Sequence, residues 1–147
     1  MRTKLILSFI VLLLVLTSCY YEDGPFYSLR TRKQRLAQTW RYDRVRINNL
    51  DITDNFADYT LTFTKENDVT WHTLSKDDSG IDSIYISSGR WEFDAPNYRK
   101  LDLFFIDSTT HQMSGQSWEI HRLTKKQLWL YSKTSDAVVE YFMISQD

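Results

Sequence analysis

From Thr39 onward, apolar and polar residues alternate with a period of two, the pattern of strands with one buried and one solvated face. Tyr59, Leu61 and Phe63 stand against Asp58, Thr60, Thr62 and Thr64, and the same grammar repeats to the C-terminus. It predicts eight strands, near 39–49, 57–65, 68–75, 82–94, 99–107, 116–123, 126–133 and 136–145. The segments between them are short and rich in turn-favouring or solvated residues, as in Glu66-Asn67, Lys76-Asp77-Asp78-Ser79-Gly80, Ala95-Pro96-Asn97, Thr124-Lys125-Lys126 and Thr134-Ser135-Asp136. None offers the dozen or more helical residues that a crossover between parallel strands needs. An antiparallel up-and-down meander is therefore expected. Left flat, it would present two open edges, and closure into an eight-stranded barrel removes them.

Two segments depart from the period. In the fourth strand Ile84 and Ile86 share one parity while Trp91 and Phe93 share the other, which predicts a bulge or bend at Ser87-Ser88-Gly89 that restores the apolar face. Ahead of the strands, Tyr27 to Gln38 reads as a short helix. It has Leu29, Lys33 and Leu36 at helical spacing, Ser28 as candidate N-cap, and basic residues at Arg30, Arg32, Lys33 and Arg35. That basic run is either a solvated helix face or a contact for anionic headgroups.

The N-terminus follows neither period. Arg2 and Lys4 precede a run from Leu5 to Leu16 broken only by Ser8, the layout of a signal peptide over residues 1–18. The run falls well short of the roughly 20 apolar residues that cross a bilayer. Cys19 follows at once and is the only cysteine of the chain, so it has no internal disulfide partner. Leu16-Thr17-Ser18-Cys19 resembles the lipobox of bacterial lipoproteins. That resemblance implies cleavage before Cys19, transfer of a diacylglyceryl group to its thiol and acylation of the freed amine. One acyl chain holds a membrane only marginally, so two or three on Cys19 give a stable anchor. Residues 19–27 then form a lipidated tether and 28–147 the folded domain, held at the bacterial outer membrane. Glu22-Asp23 resembles the signal that sends some lipoproteins to the outer face of that membrane. With Gly24-Pro25 behind it, the same stretch also reads as a solvated tether.

Eighteen basic residues against nineteen acidic leave a formal charge of −1. No electrostatic footprint for nucleic acid is present. Aromatic residues make up 15% of the chain, and parity sends many of them inward. Tyr59, Leu61, Phe63, Trp71, Trp91, Phe93, Leu103, Phe105, Trp118, Ile120, Leu128 and Leu130 share the inward set. A barrel of about eight strands encloses packed side chains or one small ligand. Tyr59, Phe63, Trp71, Trp91, Phe93, Phe105 and Trp118 are the candidate lining of such a cavity. Phe104, Ile106, Trp129 and Tyr131 fall on the opposite face, either beneath the helix or as an exposed apolar patch.

Leu36-Ala37-Gln38-Thr39-Trp40, Gly89-Arg90-Trp91-Glu92-Phe93 and the stretch Trp118 to Leu128 resemble a lipocalin-like domain of bacterial lipoproteins, over roughly residues 28 to 146. Gln38 stands where lipocalins carry glycine. The resemblance implies that Trp40 plugs the closed end of the barrel and that Arg122, from a late strand, packs on it by cation–π attraction.

Catalytic chemistry has little to stand on. His72, His111 and His121 share no metal-ligand spacing. No nucleophile elbow, phosphate-binding glycine loop or paired-carboxylate pattern occurs, and neither Asp77-Asp78 nor Asp51 to Asp58 has the spacing of a calcium loop. No enzyme activity, metal or cofactor is expected. Two readings of function stay open. The first is a tethered module holding a small hydrophobic ligand in its barrel. The second is a filled barrel whose outer face or loops, Asn48 to Phe56 and Asp107 to Gly115, dock onto an envelope protein or glycan.

Overall fold

The computed structural model describes residues 30–76, 82–96, 98–106 and 113–146. The signal peptide, Cys19, the tether, Ser28, Leu29, His111 and most of the Asp107 to Gly115 loop lie outside the described residues. A short helix α1 (Arg32–Leu36) precedes β1 (Thr39–Ile47), β2 (Leu50–Asp51), a 3-10 turn (Thr53–Phe56), β3 (Thr60–Phe63), β4 (Asp68–Lys76), β5 (Asp82–Phe93), β6 (Lys100–Ile106), β7 (Met113–Leu123), β8 (Gln127–Lys133) and β9 (Val138–Ser145).

From β3 to β9 each strand pairs antiparallel with the next, and β1 pairs with β3 on one side and β9 on the other. The register from Trp40↔Ser145 to Ile47↔Val139 closes the ring. The result is the expected eight-stranded antiparallel barrel behind a short helix. Strand β2 is an addition, folding back on the end of β1 through Arg46↔Asp51. Asn48 and Asn49 make that reversal at φ 50° and 67°, a left-handed conformation that asparagine tolerates better than most residues.

Helix α1 starts later than expected. Thr31 is its N-cap: its hydroxyl accepts from the Gln34 N–H at 3.2 Å, and the Gln34 side chain accepts from the Thr31 N–H at 2.9 Å. This reciprocal capping box satisfies two backbone donors that a helix start leaves open. Leu36 enters the core with no exposed surface. Its carbonyl accepts the indole N–H of Trp40 at 3.0 Å, which ties the helix to the plug of the barrel. The end closed by α1 also carries the β3–β4, β5–β6 and β7–β8 turns.

The core runs through the barrel, with Trp40, Val45, Val69, Leu101, Leu128 and Met143 fully buried. Every residue of the inward set is in this core or packed against it. The expected bulge at Ser87-Ser88-Gly89 is not there. Pairing runs unbroken from Asp68↔Arg90 to Lys76↔Asp82 and from Gly89↔Phe105 to Phe93↔Leu101. Ile84 and Ile86 therefore keep their parity and stand outside, 65% and 60% exposed. Gly89 answers a different need: a Cβ there would lie 2.0 Å from the Phe104 carbonyl oxygen, so only glycine lets β5 and β6 approach so closely.

Register shifts occur instead between Tyr42 and Arg44 and between Ile120 and Arg122. The second shift sets Arg122 opposite Trp129 on the outer face. Its guanidinium lies 5.0 Å from the Trp129 ring centroid. Trp40, the residue on which the lipocalin resemblance would place Arg122, is fully buried in the core.

Candidate functional site at the open end of the barrel

Opposite α1, the barrel mouth is ringed by aromatic side chains. Trp118 stacks on Tyr141 at 4.5 Å, Tyr141 meets Tyr42 edge-on at 5.2 Å, and Tyr42 packs on Phe56 at 5.2 Å. Phe56 reaches Tyr59 at 5.2 Å, Tyr59 meets Trp71 at 6.3 Å, and Trp71 leans on Phe105 at 6.1 Å. These are the offset and edge-to-face geometries that aromatic quadrupoles favour.

Phe56 comes from the loop after β2, and local bonds place it. The Thr53 hydroxyl accepts from the Val45 N–H at 3.0 Å, and Asp51 accepts from the Thr53 N–H at 3.0 Å and from its hydroxyl. The Ile52 N–H donates to the Val45 carbonyl at 3.0 Å. The bond from the Thr53 hydroxyl, then the one from its N–H, holds the Asp51 carboxyl below its ordinary range, with Arg44 and Arg46 adding to the effect. Burial raises the Tyr42 phenol well above its usual value, with Tyr141 and Tyr59 adding repulsion, and burial raises Tyr141 too. Both stay neutral hydroxyls at ordinary pH.

Among the rings lies a space of about 10 Å³, lined by Tyr42, Trp71, Phe105, Gln116, Trp118 and Tyr141 with Leu61, Leu103 and Leu130 beneath. It is the size of one water molecule. Among the described residues, two buried donors at this level have no acceptor, the indole N–H groups of Trp71 and Trp118. Trp118 is 5% exposed, so water does not reach it freely. Buried polar groups without partners are uncommon and need a reason.

The seven candidate cavity residues fall into two layers. Tyr59, Trp71, Phe105 and Trp118 belong to the mouth. Phe63, Trp91 and Phe93 pack near the closed end, where Phe63 meets Trp91 at 6.0 Å, Trp91 meets Phe93 at 5.2 Å, and the Trp91 indole donates to the Thr64 carbonyl at 3.2 Å. The Lys33 ammonium lies 5.8 Å from the Trp91 ring. The structure therefore does not join all seven around one hollow. Parity named the lower members correctly as inward, yet gave no sign of how deep each one sits. Tyr42, Tyr141 and Phe56 complete the mouth and were not singled out. Tyr42 and Tyr141 follow the alternation of their strands and were legible; Phe56 sits in a loop without periodicity.

The outer face separates differently. Phe104, Ile106 and Met113 line a groove of about 310 Å³ with Arg90 and Glu92, and Ile106 and Met113 are 53% and 68% exposed. Trp129 packs on Phe142 at 5.4 Å beneath Arg122, and Tyr131 stacks on His121 at 4.9 Å. His121 also sits 3.6 Å from the Glu119 carboxylate. His72 pairs with Thr60 and Ile86 across neighbouring strands and is half-buried. Among the described residues, no three His, Cys, Asp or Glu side chains converge as a metal site.

No family model matches the chain, and no curated protein matches it. Among solved structures it is similar to a lipocalin-like protein from Bacteroides uniformis, with a TM-score of 0.57 at 7% sequence identity, over 76% of this chain and 99% of the other. The barrel is thus a lipocalin-like one, reached by a sequence with almost nothing in common with that neighbour.

Proposed function

We propose that the chain is a lipid-tethered binding module of the bacterial cell envelope whose barrel mouth takes a small apolar or aromatic molecule bearing a hydrogen-bond acceptor. The observation that carries this reading is the pair of acceptor-less indoles, Trp71 and Trp118, set among partly exposed rings. A few fixed polar groups within an apolar lining are what small-molecule sites are made of. The gap of about 10 Å³ is too small for such a molecule, so entry requires the rings around it to part. Phe56 packs on two of the rings at the rim, Tyr42 and Tyr141, from a single turn of 3-10 helix with no buried residue, and its displacement gives those rings room to move. The Leu16-Thr17-Ser18-Cys19 stretch supports the tether, and Glu22-Asp23 supports an outer-membrane, surface-facing placement.

Native mass spectrometry on protein isolated from its own host tests the site. The expected result is a retained small molecule that the double variant Trp71→Phe, Trp118→Phe no longer holds. No bound mass, in several independent preparations, would overturn it. The tether is tested separately, since Cys19→Ser should move the protein from the membrane to the soluble fraction.

A second reading rests on the same narrow gap and on the outward aliphatic residues Ile84, Ile86, Ile106 and Met113. Here the filled barrel is a scaffold, and its β5–β6–β7 outer face docks onto an envelope protein or glycan. Retention of a partner by the wild type but not by Ile86→Asp, with no small molecule bound to either, would favour this reading.

A further inference from the structure

Basic side chains gather at the closed end of the barrel although the whole chain is nearly neutral. At the closed end, α1 contributes Arg32, Lys33 and Arg35, and the three surrounding turns with the strand residues that follow them contribute Lys65, Arg99, Lys100, Lys125 and Lys126. Glu66, Asp68 and Asp94 oppose them within those same segments. At the open end, the described loops 48–59 and 134–137 carry Asp51, Asp54, Asp58 and Asp136, and the adjoining strand ends add Arg44, Arg46 and Lys133, so the charge there is mixed.

The basic side chains form one surface because α1 and Gln38, just after its C-cap, are bonded to all three turns. Arg32 donates to the Tyr98 carbonyl, Lys33 to the Asn67 side chain, and Gln38 to the Lys125 carbonyl at 2.9 Å. The turn lysines Lys65, Lys125 and Lys126 are exposed. The first described residue, Arg30, precedes α1. From Cys19 to that point the chain can stretch no further than roughly 40 Å.

We infer that the closed end is a membrane-seating face, which lies against anionic phospholipid headgroups and points the mouth away from the bilayer. This rests on the lipid tether proposed above. Acyl chains keep the domain near the surface but leave its orientation open. A tether also raises the effective concentration of the domain at that surface, so weak charge contacts suffice to orient it. Basic residues near an anionic leaflet are attracted within about one Debye length, about 8 Å at physiological salt. The opposite end carries mixed charge and offers no comparable net attraction, so the closed end is the one drawn to the surface. The mouth then faces the aqueous side.

Lysine acetylation followed by mass spectrometry tests this on the acylated full-length protein in vesicles. One set of vesicles contains phosphatidylglycerol, and the other only phosphatidylcholine. Lys133, at the end of β8 near the mouth, is the internal control. On anionic vesicles, labelling of Lys65, Lys125 and Lys126 should fall relative to Lys133 by about five-fold or more, the factor that one well-placed basic residue supplies. The difference should vanish on phosphatidylcholine and in about 1 M salt, where the screening length is about 3 Å. The variant Lys125→Glu, Lys126→Glu should still float with vesicles yet lose the protection of Lys65.

Flotation with both vesicle types but equal labelling at the two ends would overturn the seating face and leave the tether standing. Flotation only with anionic vesicles, lost at high salt, would overturn the tether and support the face. Flotation with neither would overturn both.

Discussion

Trp40 holds the closed end together more than any other side chain. It is completely buried, its indole is bonded to the Leu36 carbonyl, and its backbone pairs with Leu61 on one side and Ser145 on the other. Trp40→Ala should cost about 3 to 5 kcal/mol, as removal of a large buried aromatic does, and an unchanged melting temperature would refute the plug. Trp40→Phe should cost less: it keeps much of the ring volume and gives up the bond to Leu36, about 1 kcal/mol with a further penalty for the stranded carbonyl. Tyr42 makes a spectroscopic prediction. Its phenol is raised by burial, so the folded protein binds more protons than the unfolded chain once pH passes the ordinary tyrosine value near about 10. Stability is then fully present below that value and falls as pH rises above it. An absorbance titration should show a late tyrosinate class made up of Tyr42 and Tyr141, which shrinks by its latest-titrating member in Tyr42→Phe; an unchanged late class in the variant would assign it to other tyrosines. The role of Trp40 was suggested by the lipocalin resemblance and not by its neighbours alone. The contact of Arg122 with Trp129 was not legible, because one extra residue at His121 decides which face Arg122 occupies, and no local pattern marks that insertion.

At the scale of elements, the period of two reveals every barrel strand, because a closed sheet has one dry face along its whole length and side chains must alternate to match it. What alternation does not show is where neighbouring backbones cross closely. Gly89 marked an irregularity in β5, and the residues suggested a bulge that would turn Ile84 and Ile86 inward. The observed answer is a tight crossing with β6 and an outward aliphatic pair. Gly89→Ala puts a methyl group into the Phe104 carbonyl, and backbone has to move to relieve it. The expected loss is about 3 kcal/mol, at the upper end for ordinary substitutions, with circular dichroism still that of a β protein. A loss below about 0.5 kcal/mol, the level of a neutral surface change, would show that the crossing is looser than drawn. The helix start was also written in the chain. Thr31 and Gln34 have the spacing of a capping box, a more specific signal than a lone serine at Ser28. Thr31→Ala should cost about 1 kcal/mol, which thermal melting resolves.

At the scale of the whole molecule, the decisive contact joins the two ends of the sequence. Strands β1 and β9 pair over most of their length, so the ring closes only after the last strand has been placed between β8 and β1. Sheets built from such distant pairings fold slowly, because the entropy of closing the long loop is lost before the contacts reward it. Until then β1 and β8 each offer an open edge, and each edge carries apolar residues suited to pairing with another chain. Strand β9 also supplies Met143 and Tyr141, one buried among the core residues and one stacked on Trp118 at the mouth. Its removal therefore opens the ring and uncovers both the core and the aromatic site. A chain ending at Ala137 should form oligomers through its free edges, seen as a shift to high mass in size-exclusion chromatography with no cooperative melt. If it instead stays monomeric and melts in one sharp transition, the closing pair is dispensable, and the stability of the barrel must come from the seven-strand meander alone.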